Sequence, residues 1–198
     1  MKPTLVLAAL LLIASLSSPS LADPVLDTDG NPLKPGVEYY IRPSVTDVAG
    51  GTTLVGRNGS CPLSVALATS PADNGYSVKF FPEDAEDDDV ELEDDFNVEV
   101  QATTECTQST VWKIEFDDRT KRYYVAAGGV KGSPGAGTLD NWFQIRWYQG
   151  GYQLVFCPDV CDTCRRPVCG PLGVHEEGGR LWLGIDDVPF PFVFLKKA

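Results

Sequence analysis

The chain has 198 residues and carries 28 acidic against 16 basic side chains, a formal net charge of −12. That balance excludes nucleic acid and anionic membrane as partners, because both repel it, and favours cationic proteins or divalent ions. Fifteen prolines, nineteen glycines and six cysteines suit short strands, tight turns and disulfide staples rather than long helices.

The first element is a leader. Lys2, an apolar run from Leu5 to Leu16 and the small-residue ending Ser-Leu-Ala22 describe a signal peptide over residues 1–22, cut after Ala22. The apolar run is too short to span a bilayer, and no later run reaches about 18 apolar residues. Residues 23–198 are then one secreted domain, extracellular or vacuolar, long enough to bury a real core that the disulfides reinforce.

Strand candidates follow at short intervals: 38–42, 63–67, 76–80, 96–101, 111–116, 122–125, 142–147, 152–156, 180–183 and 192–195. Phe96/Val98/Val100 and Trp112/Ile114/Phe116 alternate with period two, which predicts one buried and one wet face. Asp29-Gly30-Asn31-Pro32, Gly50-Gly51, Asp73-Asn74-Gly75, Gly128-Gly129, Gly150-Gly151 and Gly178-Gly179 supply the turns. No segment sustains a helical period, so the chain is all-β. Many short strands in one domain fit a closed or nearly closed barrel, which removes exposed edges. Glu38-Tyr-Tyr-Ile and Arg122-Tyr-Tyr-Val echo one another, too faintly to define a repeat.

One stretch breaks this texture. From Glu83 to Asp95, ten of thirteen residues are Asp or Glu, interrupted by Ala85, Val90 and Leu92. Such density needs solvent and predicts an exposed loop running into the strand at Phe96. The run attracts Ca²⁺ weakly and without selectivity, since it lacks the alternating spacing and turn glycine of an EF-hand loop.

The cysteines divide two and four: Cys61 and Cys106, then Cys157, Cys161, Cys164 and Cys169. Behind a leader this reads as a disulfide framework with fifteen possible connectivities. A redox reading of Cys161-Asp-Thr-Cys164 would need a βαβ context that is missing, and a four-thiolate zinc site competes poorly with oxidation. No cofactor is implied. His175 is the sole histidine, and an even set of oxidised cysteines leaves it no nucleophile to activate, so it reads as a strand histidine and the chain as no enzyme. Trp112, Trp142, Trp147 and Trp182 fall in strand patterns and read as packing residues rather than a sugar-binding platform. Asn58-Gly-Ser60 is a glycosylation sequon in a turn before Cys61.

Several separated stretches resemble one family. Asp23-Pro-Val-Leu-Asp-Thr-Asp-Gly-Asn-Pro-Leu33, Tyr39-Tyr-Ile41, Cys61-Pro-Leu-Ser-Val65, Val111-Trp-Lys-Ile114, Tyr152-Gln-Leu-Val-Phe-Cys-Pro158 and Cys169-Gly-Pro-Leu-Gly-Val174 are similar, in order, to plant Kunitz-type (soybean trypsin inhibitor-type) proteins. The Cys157–Cys169 cluster resembles the miraculin-like branch. The resemblance implies a β-trefoil, a six-stranded barrel capped by three hairpins, with pairings Cys61–Cys106, Cys157–Cys169 and Cys161–Cys164. It also implies inhibition of an endopeptidase by a rigid substrate-like loop, whose preorganisation supplies affinity.

The family's loop follows an aromatic-Pro or Ser-Pro step. Here that step is Phe81-Pro82, which makes Pro82, Glu83, Asp84 and Ala85 the expected reactive loop, with Asp84 in the specificity position. An acidic residue there would face the buried carboxylate of a trypsin-like pocket and be repelled, or be stripped of water in an apolar pocket. The family braces this loop with an Asn where this chain has Pro35, which has no side-chain amide. The expectation is an inhibitor of a subtilisin-like, glutamate-preferring or cysteine endopeptidase, or of α-amylase, and weak action on trypsin. The alternative is a non-inhibitory storage, defence or ligand-binding protein.

Overall fold

A computed structural model describes residues 23–57, 59, 61–106, 109–164 and 168–198. The leader and the sequon residue Asn58 lie outside the described residues. In chain order the strands are β1 (Tyr39–Pro43), β2 (Thr52–Val55), β3 (Ser64–Leu67), β4 (Val78–Pro82), β5 (Phe96–Val100), β6 (Trp112–Asp117), β7 (Arg122–Ala127), β8 (Gln144–Tyr148), β9 (Gly151–Phe156), β10 (Gly170–Glu177), β11 (Arg180–Ile185) and β12 (Phe192–Lys196). A 3₁₀ turn, Leu139–Asn141, precedes β8.

Six strands form a ring. Antiparallel pairing runs from β5 through β4, β1, β12 and β9 to β8. The strand ladders alone do not close it. Its last seam, between β5 and the residue before β8, is one bridge, Phe96 to Phe143, made by two backbone hydrogen bonds of 2.9 and 3.0 Å. The other six strands make the hairpins β2–β3, β6–β7 and β10–β11, which meet pairwise at Ser64–Ala126, Tyr124–Gly184 and Trp182–Ala66. This is a triangular cap, and the whole is a β-trefoil. Ala66, Tyr124 and Trp182 pack together at the cap; Ala66 is small enough to let Trp182 lie across it.

Alternation explains the barrel filling. Tyr39, Ile41, Phe80, Phe96, Val98, Phe192 and Phe194 are all at most 1% exposed. Phe80 meets Phe96 and Phe194 edge-on at 5.3 and 5.5 Å, the arrangement that ring quadrupoles favour. Gly75 shows why the Asp73-Asn74-Gly75 turn needs its glycine: φ is +72°, and a Cβ there would lie 2.1 Å from the Thr52 carbonyl oxygen.

The sequence pattern missed β2 and marked β10 only at its histidine, His175. β2 contains only Leu54 and Val55 as apolar residues, and β10 is interrupted by Gly170, Pro171 and Gly173. Both form because neighbours complete their hydrogen bonds. The Tyr-Tyr echo is not the threefold of the fold, since Tyr39–Tyr40 lies in barrel strand β1 and Tyr123–Tyr124 in cap strand β7. Phe116 departs from its predicted inward alternation: it lies one residue before the end of β6, near the hairpin tip, exposed, with Tyr123 at 4.9 Å.

Candidate functional site: the acidic loop between β4 and β5

The two strands that carry the loop are in register from Val78–Val100 to Pro82–Phe96, and the Glu83 N–H extends the ladder one step to the Asp95 carbonyl at 2.8 Å. Two rigid rails therefore hold the ends of the Glu83–Asp95 segment. Its first half is solvent-facing: Glu83, Asp84, Ala85 and Glu86 are exposed. Asp84 turns this tip on itself. Its Oδ1 accepts the Glu86 N–H at 2.9 Å, and its carbonyl accepts the Asp87 N–H at 3.3 Å. Of the four residues expected to form the reactive loop, Pro82 ends β4, and Glu83, Asp84 and Ala85 follow it at the exposed start of the loop.

The second half is anchored, which corrects the expectation of a uniformly exposed run. Val90 is 1% exposed and joins the core cluster. Its N–H donates to the Leu33 carbonyl at 2.8 Å, and its own carbonyl accepts the Val25 N–H at 2.9 Å. The Leu92 N–H reaches the Asp23 carbonyl and the Glu93 N–H the Ile145 carbonyl, both at 2.9 Å. Lys34 pairs with Asp89 at 2.7 Å. Of the apolar residues that interrupt the acidic run, Val90 and Leu92 pull it inward, while Ala85 stays exposed. Where Pro35 supplies no side-chain amide, the N-terminal segment braces the loop by backbone hydrogen bonds instead.

Asp95 closes the loop and is buried, with 6% exposure. Its Oδ2 accepts the Asp159 N–H at 2.6 Å, which links the β4–β5 loop to the segment after β9. Burial pushes its carboxyl up to about 6, against the pull of that hydrogen bond. Burial first, and then the charges of neighbouring carboxylates, also raise Asp87 and Glu91. Asp87 and Asp95, but not Glu91, border a cavity of about 400 Å³ that Glu83, Asp84, Glu93, Asp94, Gln144 and Asp159 also line. Among the described residues no three His, Cys, Asp or Glu side chains are arranged to hold a metal ion. The carboxylates make a field, not a coordination shell.

Three disulfides frame the site: Cys61–Cys106 across 45 residues, Cys157–Cys169 across 12 and Cys161–Cys164 across 3. The first encloses the entire acidic loop. At the far side of the cap, Arg57 joins the tips of all three hairpins. It lies 2.5 Å from Asp117, 2.8 Å from Glu177 and 3.6 Å above the Tyr124 ring. Sequence reasoning did not single out Arg57, because its partners lie 60 and 120 residues away.

His175 is buried in β10, with Nδ1 3.1 Å from Asp186 and Nε2 3.1 Å from the Ile185 carbonyl. Burial lowers its affinity for a proton. It is a packing histidine beside Tyr124, at 5.4 Å. The tryptophans divide: Trp112, Trp142 and Trp182 are at most 5% exposed, whereas Trp147 is 56% exposed and does not pack in the core. No helix of the described residues is long and apolar enough to cross a membrane.

The class these features define is a disulfide-stapled β-trefoil with one charged loop carried on a strand pair. The family described as "Trypsin and protease inhibitor", of the legume Kunitz type, matches residues 25–196. Miraculin of Synsepalum dulcificum is 40% identical over 94% of this chain and 92% of its own. Among solved structures, the Kunitz-type cysteine protease inhibitor PCPI-3 from potato superposes with TM-score 0.78 at 28% identity, covering 90% of this chain and 99% of that one. The bifunctional α-amylase/subtilisin inhibitor of Oryza sativa gives TM-score 0.73 at 33% identity over 89% and 99%. The chain belongs to the plant Kunitz-type protease inhibitor family, miraculin-like branch.

Proposed function

We propose that this inhibitor-family protein acts on an endopeptidase other than trypsin, presenting Pro82, Glu83, Asp84 and Ala85 as its reactive loop. The observation that carries this reading is the exposed acidic tip at the end of the β4–β5 rails. Rails, backbone brace and the Cys61–Cys106 staple hold the tip in place before binding, so little order is lost on association. A pocket with its own buried carboxylate repels this tip. Pockets that take an acidic side chain, or that recognise the loop by its backbone, do not. The named relatives that inhibit a subtilisin or a cysteine protease support such targets, and the α-amylase activity named for one of them makes amylase the second enzyme to assay.

A non-inhibitory reading is favoured by one observation. Asp84 commits its carboxylate to the Glu86 N–H and closes a turn, whereas a protease binds its substrate extended. Inhibition assays against trypsin, subtilisin, papain, a glutamate-specific protease and α-amylase separate the two. Inhibition of any non-trypsin protease supports the proposal, and inactivity on all five replaces it with the storage or ligand-binding role. Secretion, extracellular or vacuolar, is the proposed location, supported by three disulfides that need an oxidising compartment. Sequencing the N-terminus of the protein from its native tissue tests it, with Asp23 expected first.

A further inference from the structure

We propose that Lys131 is a positioning residue for the β4–β5 loop: it clamps Phe81, the residue before Pro82, and the buried pair Asn97 and Asn141 holds it there. The functional consequence rests on the reading of Pro82, Glu83, Asp84 and Ala85 as a reactive loop. The clamp itself lies outside that loop, on the segment between β7 and β8 and on the rails.

The support is a pair of amides. In β5, Phe96, Val98 and Val100 fill the core, so Asn97 and Glu99 face away from the barrel. Alternation alone would leave Asn97 wet, yet it is 0% exposed. The segment after β7 covers it. The Asn97 Oδ1 accepts the Gly132 N–H at 2.6 Å, and its Nδ2 donates to the Asn141 carbonyl at 2.9 Å. The Asn141 Nδ2 donates in turn to the Val130 carbonyl at 3.2 Å. Both asparagines are buried, so breaking these bonds strands polar groups where water does not answer them. The backbone is therefore pinned on both sides of Lys131. Gly132 allows the turn, at φ +70°.

The clamp is the ammonium. Phe81 is the cross-strand partner of Asn97, so their side chains share one face of the β4–β5 pair. The Lys131 Nζ lies 4.0 Å from the Phe81 ring centroid and 3.3 Å from the Glu99 carboxylate. One cation touches both rails, β4 through a ring face and β5 through an ion pair. Each contact is modest, because the lysine side chain is 43% exposed. Their place makes them count. Phe81 leads into Pro82, whose ring fixes its own φ, and the Glu83 N–H then makes the last rung of the ladder to Asp95. Holding the Phe81 ring sets the direction in which the loop leaves β4.

Amide exchange by NMR and nicking by a glutamate-specific protease both read the loop without requiring it to inhibit anything. Lys131→Met keeps an apolar stem and removes the charge. It is expected to speed exchange of the Glu83 N–H, and cleavage after Glu83 and Glu86, about threefold to fivefold. The Gly30 N–H, in a separate exposed turn, should exchange as before. Lys131→Arg keeps a cation for both partners and should restore the original rates. Asn141→Ala frees the Val130 carbonyl and should speed the loop as Lys131→Met does. Against any protease that the unaltered protein inhibits, Lys131→Met should weaken inhibition by the same factor. Unchanged loop rates in Lys131→Met or Asn141→Ala, no rescue by arginine, or an equal rise at Gly30, the mark of general loosening, overturns the proposal. Inactivity of the unaltered protein on every protease removes the inhibitory reading and leaves exchange and nicking to decide this one.

Discussion

Replacing Asp95 by asparagine tests the electrostatics of the loop base directly. The carboxyl ionises near 3.8 in an unstructured chain and near about 6 in the fold, chiefly because burial disfavours its charge. Between those values the native state holds a proton that the unfolded chain has released. Stability from this group is therefore complete below pH 3.8, falls as pH rises, and is lost above pH 6. The gap corresponds to about 3 kcal/mol. The asparagine side chain is neutral throughout and keeps an oxygen for the Asp159 N–H, so the variant escapes the loss. Urea unfolding of both proteins at about pH 3.5 and about pH 7.5 should show the difference between them growing by up to about 3 kcal/mol at the higher pH in favour of the variant. Added salt should change this little, since burial leads and the facing charges of Glu83 and Asp159 come after it. A stability difference that is the same at both pH values would refute the reasoning.

Four further variants probe the loop and its frame. Asp84→Lys should convert a weak trypsin ligand into an inhibitor at least a hundredfold stronger in a steady-state assay, because it replaces repulsion by the pocket carboxylate with attraction; no gain would remove Asp84 from the specificity position. Replacing Cys61 and Cys106 by Ser should lower unfolding stability by about 4 kcal/mol, against about 1.5 kcal/mol for Cys161 and Cys164, since closure entropy grows with loop length; denaturant curves with equal losses would contradict that account. Val90→Ala should cost about 2 kcal/mol and speed cleavage within Glu83–Asp95 in limited proteolysis, because the buried side chain fastens the loop to the core.

The barrel strands were legible because each carries its own instruction. In β5, Phe96, Val98 and Val100 alternate with polar neighbours, and any chain that buries one face of such a strand must bury those three. β2, and all of β10 but the stretch at His175, were illegible for the opposite reason. Their hydrogen bonds are completed by β3, β9 and β11, and no local pattern records that. The site divides in the same way. Ten acidic residues in thirteen foretold a charged loop, and Phe81-Pro82 foretold where it leaves β4. That Val90 anchors the loop against Val25 and Leu33, and that Asp95 is buried under Asp159, depended on segments far away along the chain.

By itself, then, the order of amino acids determined composition, charge, strand periodicity, turn positions and the family signature, all of them properties a short window of chain can carry. Tertiary structure alone decided which carboxylates are stripped of water, which tryptophan faces solvent and which partners Arg57 draws together. Burial and Coulomb forces act through space. They are set by neighbours that only the finished trefoil brings within reach.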